Sequence, residues 1–211
     1  MRADAPPEGP LGSVEAWAAG RLVLGVDEAG RGPLAGPVVA AAVALPPGAL
    51  PDALVGLDDS KKLDADARTR LRSAIERDAQ AWCVGWATVE EIEQVNILQA
   101  TYLAMHRAID GLGFRPEHLL IDGNRFRPHD IPHSCEIKGD GRFLAIAAAS
   151  ILAKTYRDEH MAALAMDHPE YGWDGNKGYP TPAHKEALRV HGHTAHHRRT
   201  FRGVQGSLFP L

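Results

Sequence analysis

Apolar residues fall along the chain either in short unbroken runs or at spacings of three and four, and the switches between the two mark out the elements. Leu22-Val23-Leu24-Gly25-Val26 is a short apolar run of β-formers followed by Asp27-Glu28 and Gly30-Arg31-Gly32, the pattern of a buried strand ending at a tight turn. Val38–Leu45, closed by Pro46-Pro47, reads as a second strand joined to the first in a hairpin. Leu63, Ala67, Leu71, Ala74 and Ile75 repeat at three and four, which predicts an amphipathic helix over about 64–77. Trp82–Ala87 is a third strand. Thr88-Val89-Glu90-Glu91 has capping-box spacing and opens a helical region whose stripe is Leu98, Tyr102, Met105 and Ile109, ended by Gly111 and Gly113. Leu119-Leu120-Ile121 is a short strand running into Asp122-Gly123-Asn124, and Ser134–Ile137 is a weak fifth. Lys138-Gly139-Asp140-Gly141 breaks into a long alanine-rich helix from Arg142 to about Met166. Thr181-Pro182 marks the start of a last helix to about Val190.

No internal repeat is visible, and strands mix with helices. The expectation is an α/β fold with a central mixed sheet of about five strands, flanked by helices and followed by a helical C-terminal extension. The chain divides into an N-terminal extension over 1–19 rich in Pro, Ala and Gly, an α/β domain over 20–168, a helical region over 169–204 and a tail over 205–211. The length of 211 residues suits one sizeable core, and 45% hydrophobic with 24% charged residues argues against wholesale disorder. The longest uncharged stretch, Gly32–Pro51, is interrupted by five prolines and falls short of the roughly 20 apolar residues of a membrane span. The opening residues lack an apolar signal-peptide core, and Cys83 and Cys135 make neither a disulfide framework nor zinc spacing. A monomeric cytoplasmic protein with reduced thiols is expected.

A formal charge of −4 hides an asymmetry. Between Asn176 and Arg202 six Lys and Arg stand against one Asp or Glu, and five of the eleven histidines fall there. A basic face on an acidic protein fits a polyanionic partner, because neutralised phosphates release counterions, although charge alone fits a solvated surface as well. His184, His191, His193, His196 and His197 have permissive metal spacing, but a basic rim against DNA backbone is the better reading than zinc.

Three carboxylate sites lie next to glycine where a strand ends or a helix begins: Asp27-Glu28, Asp122 and Asp140. Strand ends of an open α/β sheet form ligand crevices. Carboxylates gathered there repel one another unless a cation neutralises them, and an all-oxygen set suits Mg²⁺ or Mn²⁺. Two such ions about 4 Å apart can activate a water and stabilise the leaving oxygen of a phosphodiester. Each acid also has an ordinary alternative: Asp122 fits an Asx-turn, and Asp140 fits a cap for the helix after it. Asp27 has the weakest alternative, since a buried acid needs a partner. Successive strand side chains face opposite ways, so Asp27 and Glu28 share a site only where the strand bends or ends. Asp158 lies too far along the long helix to join Asp140 and is four residues from Lys154, so a surface pair explains it.

Several motifs, in order, carry a family resemblance. Gly25-Val-Asp-Glu-Ala-Gly-Arg-Gly-Pro-Leu-Ala-Gly-Pro37, Asp59-Ser-Lys-Lys-Leu63, Leu120-Ile-Asp-Gly-Asn124, Lys138-Gly-Asp140, Ala147-Ala-Ala-Ser-Ile-Leu-Ala-Lys154, Lys177-Gly-Tyr-Pro-Thr181 and His196-His-Arg-Arg199 resemble bacterial ribonuclease HII from about Leu22 to Phe201. The resemblance implies an RNase H-like fold. It also implies metal-dependent endonucleolysis of RNA in RNA–DNA hybrids and at single ribonucleotides embedded in duplex DNA, with two Mg²⁺ or Mn²⁺ ions during catalysis. A metal-activated water is expected to attack the phosphate 5′ of DNA at a ribonucleotide, leaving 3′-hydroxyl and 5′-phosphate ends.

By position, Asp27, Glu28, Asp122 and Asp140 become the acidic metal-holding residues, kept ionised by the metals so that none need act as the base. Gly30, Arg31 and Gly32 become the loop whose backbone senses the ribose 2′-hydroxyl, and Tyr179 the ring packing on the neighbouring sugar. Glycines permit that close approach, and the 2′-hydroxyl is what separates RNA from DNA. Ser60, Lys61 and Lys62 are expected at the nucleic acid, the lysines on phosphates. Gln205-x-Ser-Leu-Phe209 resembles the peptide by which bacterial repair enzymes hold the replication sliding clamp, through Gln205, Leu208 and Phe209, where a frayed terminus is the plainer alternative. The rival functions are a non-catalytic nucleic-acid-binding module and a structure-specific DNA nuclease on the same fold.

Overall fold

A computed structural model describes residues 22–48 and 50–205. Strands β1 (Val23–Ala29) and β2 (Val38–Ala44) are followed by helix α1 (Ala65–Asp78), β3 (Ala81–Ala87), helix α2 (Val89–Asp110), β4 (His118–Asp122) and β5 (His133–Glu136). Helices α3 (Leu144–Asp167), α4 (Trp173–Asn176), α5 (Pro182–His191) and α6 (Arg202–Gln205) complete the chain. The sheet order is β3-β2-β1-β4-β5, antiparallel among the first three strands and parallel from β1 through β4 to β5. The α/β class and the five-strand mixed sheet match the expectation from the apolar pattern. Among the described residues no helix is long and apolar enough to cross a membrane, and both cysteines are free.

Alternation along the central strands divides the core between two faces. Leu24, Val26, Ala40 and Ala42 pack with Tyr102, Met105 and Ile109 of α2. Ala41 and Val43 pack with Leu71 and Ile75 of α1 and with Ala147–Ala149, Ile151 and Leu152 of α3. Because both faces are covered, β2 reads as an unbroken apolar run. Its alanines, with Gly25 and Gly85, let the helices approach closely: a Cβ on Gly85 would stand 2.1 Å from the Ala104 carbonyl oxygen.

Three local expectations needed revision. Strand β1 continues through Asp27, Glu28 and Ala29, because Ala41, Ala40 and Val39 of β2 supply ladder partners for all three. Helix α2 keeps its Thr88–Glu91 capping box but breaks at Asn96 (φ 69°, ψ 165°), whose side-chain oxygen accepts the Leu98 and Gln99 N–H groups as a second cap. Leu98 therefore opens a new segment and is exposed, while Tyr102, Met105 and Ile109 are buried. Ile137 lies outside β5 and is also exposed. Thr181 caps α5 by accepting the His184 N–H, with Pro182 at the first helical position.

Candidate active site

Parallel pairing of β1, β4 and β5 brings their carboxyl ends to one edge. Val26 is opposite Ile121, so Asp27 and Asp122 follow side by side, and Asp122 is opposite Glu136. Residues in register share a face. Asp27 thus lies on the α3 side with Ala41, and Glu28 on the α2 side with Ala40. The strand neither bends nor stops between them; instead β4 ends at Asp122, leaving both faces open beyond it. Glu28 and Asp122 line a cavity of about 260 Å³ with Arg31, Thr101 and Tyr102. Asp122 and Asp140 line another of about 630 Å³ with Asp59, Lys61, Lys62 and Arg142. Asp122 is the wall shared by the two. A further cavity of about 770 Å³, between His106, Asp110, Arg115 and His129, contains none of these acids.

The backbone fixes the acids. Asp122 Oδ1 accepts the Gly139 N–H at 2.8 Å, a bond across seventeen residues that pins the turn Gly139–Gly141 and hence Asp140 beside it. That bond is long-range where an Asx-turn would be local. Asp140 caps nothing, since α3 starts at Leu144 with Phe143 as its cap position. Asp27 Oδ1 accepts the Glu28 N–H at 2.6 Å, and Arg31 Nη1 donates to Glu28 Oε1 at 3.1 Å. Lys61 Nζ stands 3.8 Å from Asp140 Oδ2. Lys61 and Lys62 are exposed beside the acids, whereas Ser60 is buried beneath them and accepts a hydrogen bond from Ser150. The Ser60 hydroxyl is thus tied to Ser150 of α3 and is not offered to solvent. Asp158 pairs with Lys154 on α3, as its spacing indicated.

Burial pushes the Asp27 carboxyl well above the ordinary aspartate range, and the charges of Glu28, Asp122 and Asp140 add to the shift. Glu28 is raised by burial against the opposing pull of Arg31, and Asp122 by burial. Asp140 is raised by burial and then by Asp122 and Asp59. Burial, with crowding added to it, therefore opposes ionisation of these acids, and a bound cation would favour it. Among the described residues no three His, Cys, Asp or Glu side chains are placed closely enough to hold a metal ion as they stand. The acids act on one another all the same: Glu28, Asp122 and Asp140 oppose ionisation of Asp27, and Asp122 opposes that of Glu28 and Asp140. As donors they fit a hard cation: all are oxygens, crowded and only partly neutralised by Arg31 and Lys61.

Next to the acids, the Gly30–Pro37 loop meets the segment between α4 and α5. Leu34 N–H donates to the Gly178 carbonyl at 2.8 Å, and a methyl added at Gly32 would stand 3.6 Å from Tyr179 Cε1. Tyr179 itself is 43% exposed, with its ring available beside the loop.

A family model described as Ribonuclease HII matches residues 24–204. The chain belongs to the ribonuclease HII family. It is 59% identical over 183 residues to the Ribonuclease HII of Parabacteroides distasonis, covering 86% of this chain and 90% of that one. Among solved structures it is similar to the ribonuclease H2 of Pyrococcus horikoshii, with TM-score 0.74 and 27% identity over 88% of this chain and 96% of that one. It is also similar to the RNase HII in the PCNA:RNase HII complex from Archaeoglobus fulgidus, with TM-score 0.72 and 25% identity over 86% of this chain and 95% of that one. Ribonuclease HII membership makes the chain a hydrolase, an endonuclease with ribonuclease H activity on RNA–DNA hybrids, in a divalent-metal-dependent family.

One expectation is overturned and two residues were missed. The histidine-rich region is not a basic rim along its length, because His184, His197 and Arg198 are fully buried. His184 Nδ1 donates to the Tyr179 carbonyl, and Trp173 Nε1 donates to His184 Nε2 at 3.1 Å. Thr194 N–H donates to His197 Nδ1, so the 3.1 Å contact between the two rings runs from His197 Nε2–H to His184 Nε2. Every ring nitrogen of the pair is engaged, which leaves no lone pair for zinc. Burial, then the neighbouring His184, pushes the His197 imidazole down to about 3, so it stays neutral. The missed residues are Arg157 and Arg198. Arg157 falls on the buried stripe Ala149, Ala153, Arg157, Met161, Ala165 of α3, and that four-residue spacing was its available signal.

Proposed function

We propose that this endonuclease cuts at single ribonucleotides embedded in duplex DNA as well as in longer hybrids, with Asp27, Glu28, Asp122 and Asp140 holding two Mg²⁺ or Mn²⁺ ions. The observation that carries this reading is the contact between two sets of groups. Arg31 of the glycine loop bonds Glu28 of the acid group at 3.1 Å, while Gly32 of the same loop lies against Tyr179. A ribose read by the loop therefore has its phosphate at the acids. Bound there, the ions supply an activated water and neutralise charge on the leaving oxygen.

The chain's own residues do the rest. The Gly30-Arg31-Gly32 backbone approaches the 2′-hydroxyl where any side chain would obstruct it. Tyr179 packs on the adjoining sugar, and Lys61 and Lys62 hold phosphate oxygens as exposed point charges. Because the carboxylate pKa values are raised, protons compete with metal for these oxygens, and metal binding weakens as pH falls. The products carry 3′-hydroxyl and 5′-phosphate ends.

The test compares an all-DNA duplex with one bearing a single ribonucleotide, with product ends assigned by ligation and phosphatase sensitivity. A site that bonds a substrate hydroxyl rejects the deoxy analogue by roughly 10⁴-fold. Equal cutting of both duplexes would identify a DNA nuclease and end the proposal.

The tail is proposed as a handle for a sliding clamp, supported by the clamp complex formed by the Archaeoglobus fulgidus relative. Gln205 closes α6, its N–H bonded to the Phe201 carbonyl, so it belongs to a helix and not to a free tail. Leu208 and Phe209 lie outside the described residues. Removing residues 205–211 is expected to abolish binding to a bacterial sliding clamp in a pull-down while leaving cleavage unchanged; undiminished binding sinks the idea.

A further inference from the structure

Two guanidinium groups lie inside the protein; the charge of Asp158 acts on one of them, Arg157, but no carboxylate of a described residue is in ion-pair contact with either. Arg157 and Arg198 are 1% and 0% exposed, and neither forms an ion pair with a described residue. An unpaired buried charge is costly, and here two of like sign lie close enough to repel. Burial, then Arg157, lowers Arg198 to about 9. What holds both cations is peptide carbonyl oxygen, nearly all of it from one loop.

Arg198 Nε donates to the Gly36 carbonyl at 2.9 Å. Its Nη1 donates to Arg31 and Pro33 at 3.1 and 2.8 Å, and its Nη2 to Gly30 and Pro37 at 2.6 and 3.1 Å. The Arg198 backbone N–H takes the Leu34 carbonyl at 2.8 Å. Arg157 donates to Pro37, Ala35 and Lys177, each at 3.0 Å. From Gly30 to Pro37 each carbonyl is bound in this way except that of Gly32. The N–H groups of Arg31 and Gly32 donate to no described residue. One peptide region thus keeps its polar groups for something outside the protein, and it is the region that faces Tyr179.

We propose that Arg157 and Arg198 are positioning residues for ribose recognition. They turn the other loop carbonyls inward, leave the Gly32 peptide for the 2′-hydroxyl, and through Lys177 hold the Tyr179 segment in register with it. This rests on the ribonucleotide-directed reading above. Arginine suits the task because its five N–H donors form a rigid fork, whereas lysine is a point charge with three donors. The loop is fitted to the fork: a Cβ on Gly30 would stand 2.2 Å from Arg157 Nε.

The decisive variant is Arg198→Lys, which keeps the charge and loses the fork. Steady-state kinetics on a duplex with one ribonucleotide is compared with the inhibition constant of the all-DNA duplex of the same sequence. The expected result is a roughly ten- to hundredfold fall in kcat/KM, the scale of a small misplacement of reacting groups, with the DNA inhibition constant within about twofold of wild type. Equal changes in both, or none in kcat/KM, overturn the proposal. Should Arg198→Lys not fold, Arg157→Lys gives the same comparison. Hydrogen exchange on the wild-type protein stands apart from any variant: the Leu34 and Gly36 amides, bonded to the Gly178 and His196 carbonyls, are expected to be protected like the core strands, and fast exchange there refutes a held loop. Wild-type enzyme that does not separate the two duplexes defeats the ribonucleotide reading instead.

Discussion

Asp27→Asn is expected to abolish cleavage while leaving duplex binding largely intact, and to make the metal-free protein more heat-resistant at neutral pH. The loss in kcat/KM should exceed the 10–100-fold typical of removing a group that merely supports a metal ligand, and reach roughly 10³-fold. The stability gain has the opposite sign for a definite reason. The Asp27 carboxyl has an ordinary value near 3.8 in the unfolded chain and one well above it in the fold, where burial and three other acids oppose ionisation. Its contribution to stability is fully present below about pH 3.8 and is lost as pH rises through the raised value. Asparagine has nothing to ionise, so in chelator its melting temperature should fall less between pH 4 and 7. A difference of about 1 kcal/mol at neutral pH corresponds to roughly 2–4 °C for a chain of this size. Added Mg²⁺ or Mn²⁺ should reverse the order, because a ligand stabilises the fold that binds it more tightly. Active Asp27→Asn protein, or variant and wild-type proteins responding alike to metal, would remove Asp27 from the site.

Gly25→Ala is expected to cost about 3 kcal/mol or more of folding stability, the upper part of the range for overpacking. A Cβ at Gly25 would stand 2.1 Å from the Ala145 carbonyl carbon and 2.3 Å from the Ile146 nitrogen, both backbone atoms of the first turn of α3. Side chains can turn aside, but a helix backbone can yield only by lifting off the sheet. Gly25 lies in the middle of β1, paired with Val43 and Leu120, so the strand cannot retreat either. Gly175→Ala is the control: nothing lies within 4 Å of its would-be Cβ, and its stability should match wild type within about 0.5 kcal/mol. Urea denaturation of both proteins decides the matter, and Gly25→Ala as stable as Gly175→Ala would refute the close helix–strand crossing.

Elements were legible wherever their cause was local. The Thr88–Glu91 capping box, the Thr181-Pro182 helix start and the unbroken apolar runs of the first two strands need only near neighbours, and each appears where its spacing indicated. The break at Asn96 was not legible, because a side-chain cap inside a helical pattern looks like any polar surface position. Leu98 was assigned to the buried stripe for that reason. The histidine-rich segment misled in another way. Composition reports charge but not depth, and Trp173 and Tyr171 stack on each other at 5.0 Å and meet His197 at an angle in the interior.

From its residues alone the chain determined the kind of chemistry available: acids beside glycines at strand ends, a glycine loop, exposed lysines. Those depend on residue type and short spacing. Tertiary structure decided which acids meet, since the Asp122 bond to the Gly139 N–H, seventeen residues away, sets Asp140 beside it. It also decided that Asp27 and Glu28 face opposite sides of the sheet, and that two arginines far along the chain hold the loop. The free energy of a buried charge is set by groups that folding carries in from distant positions, so no local pattern could foretell it.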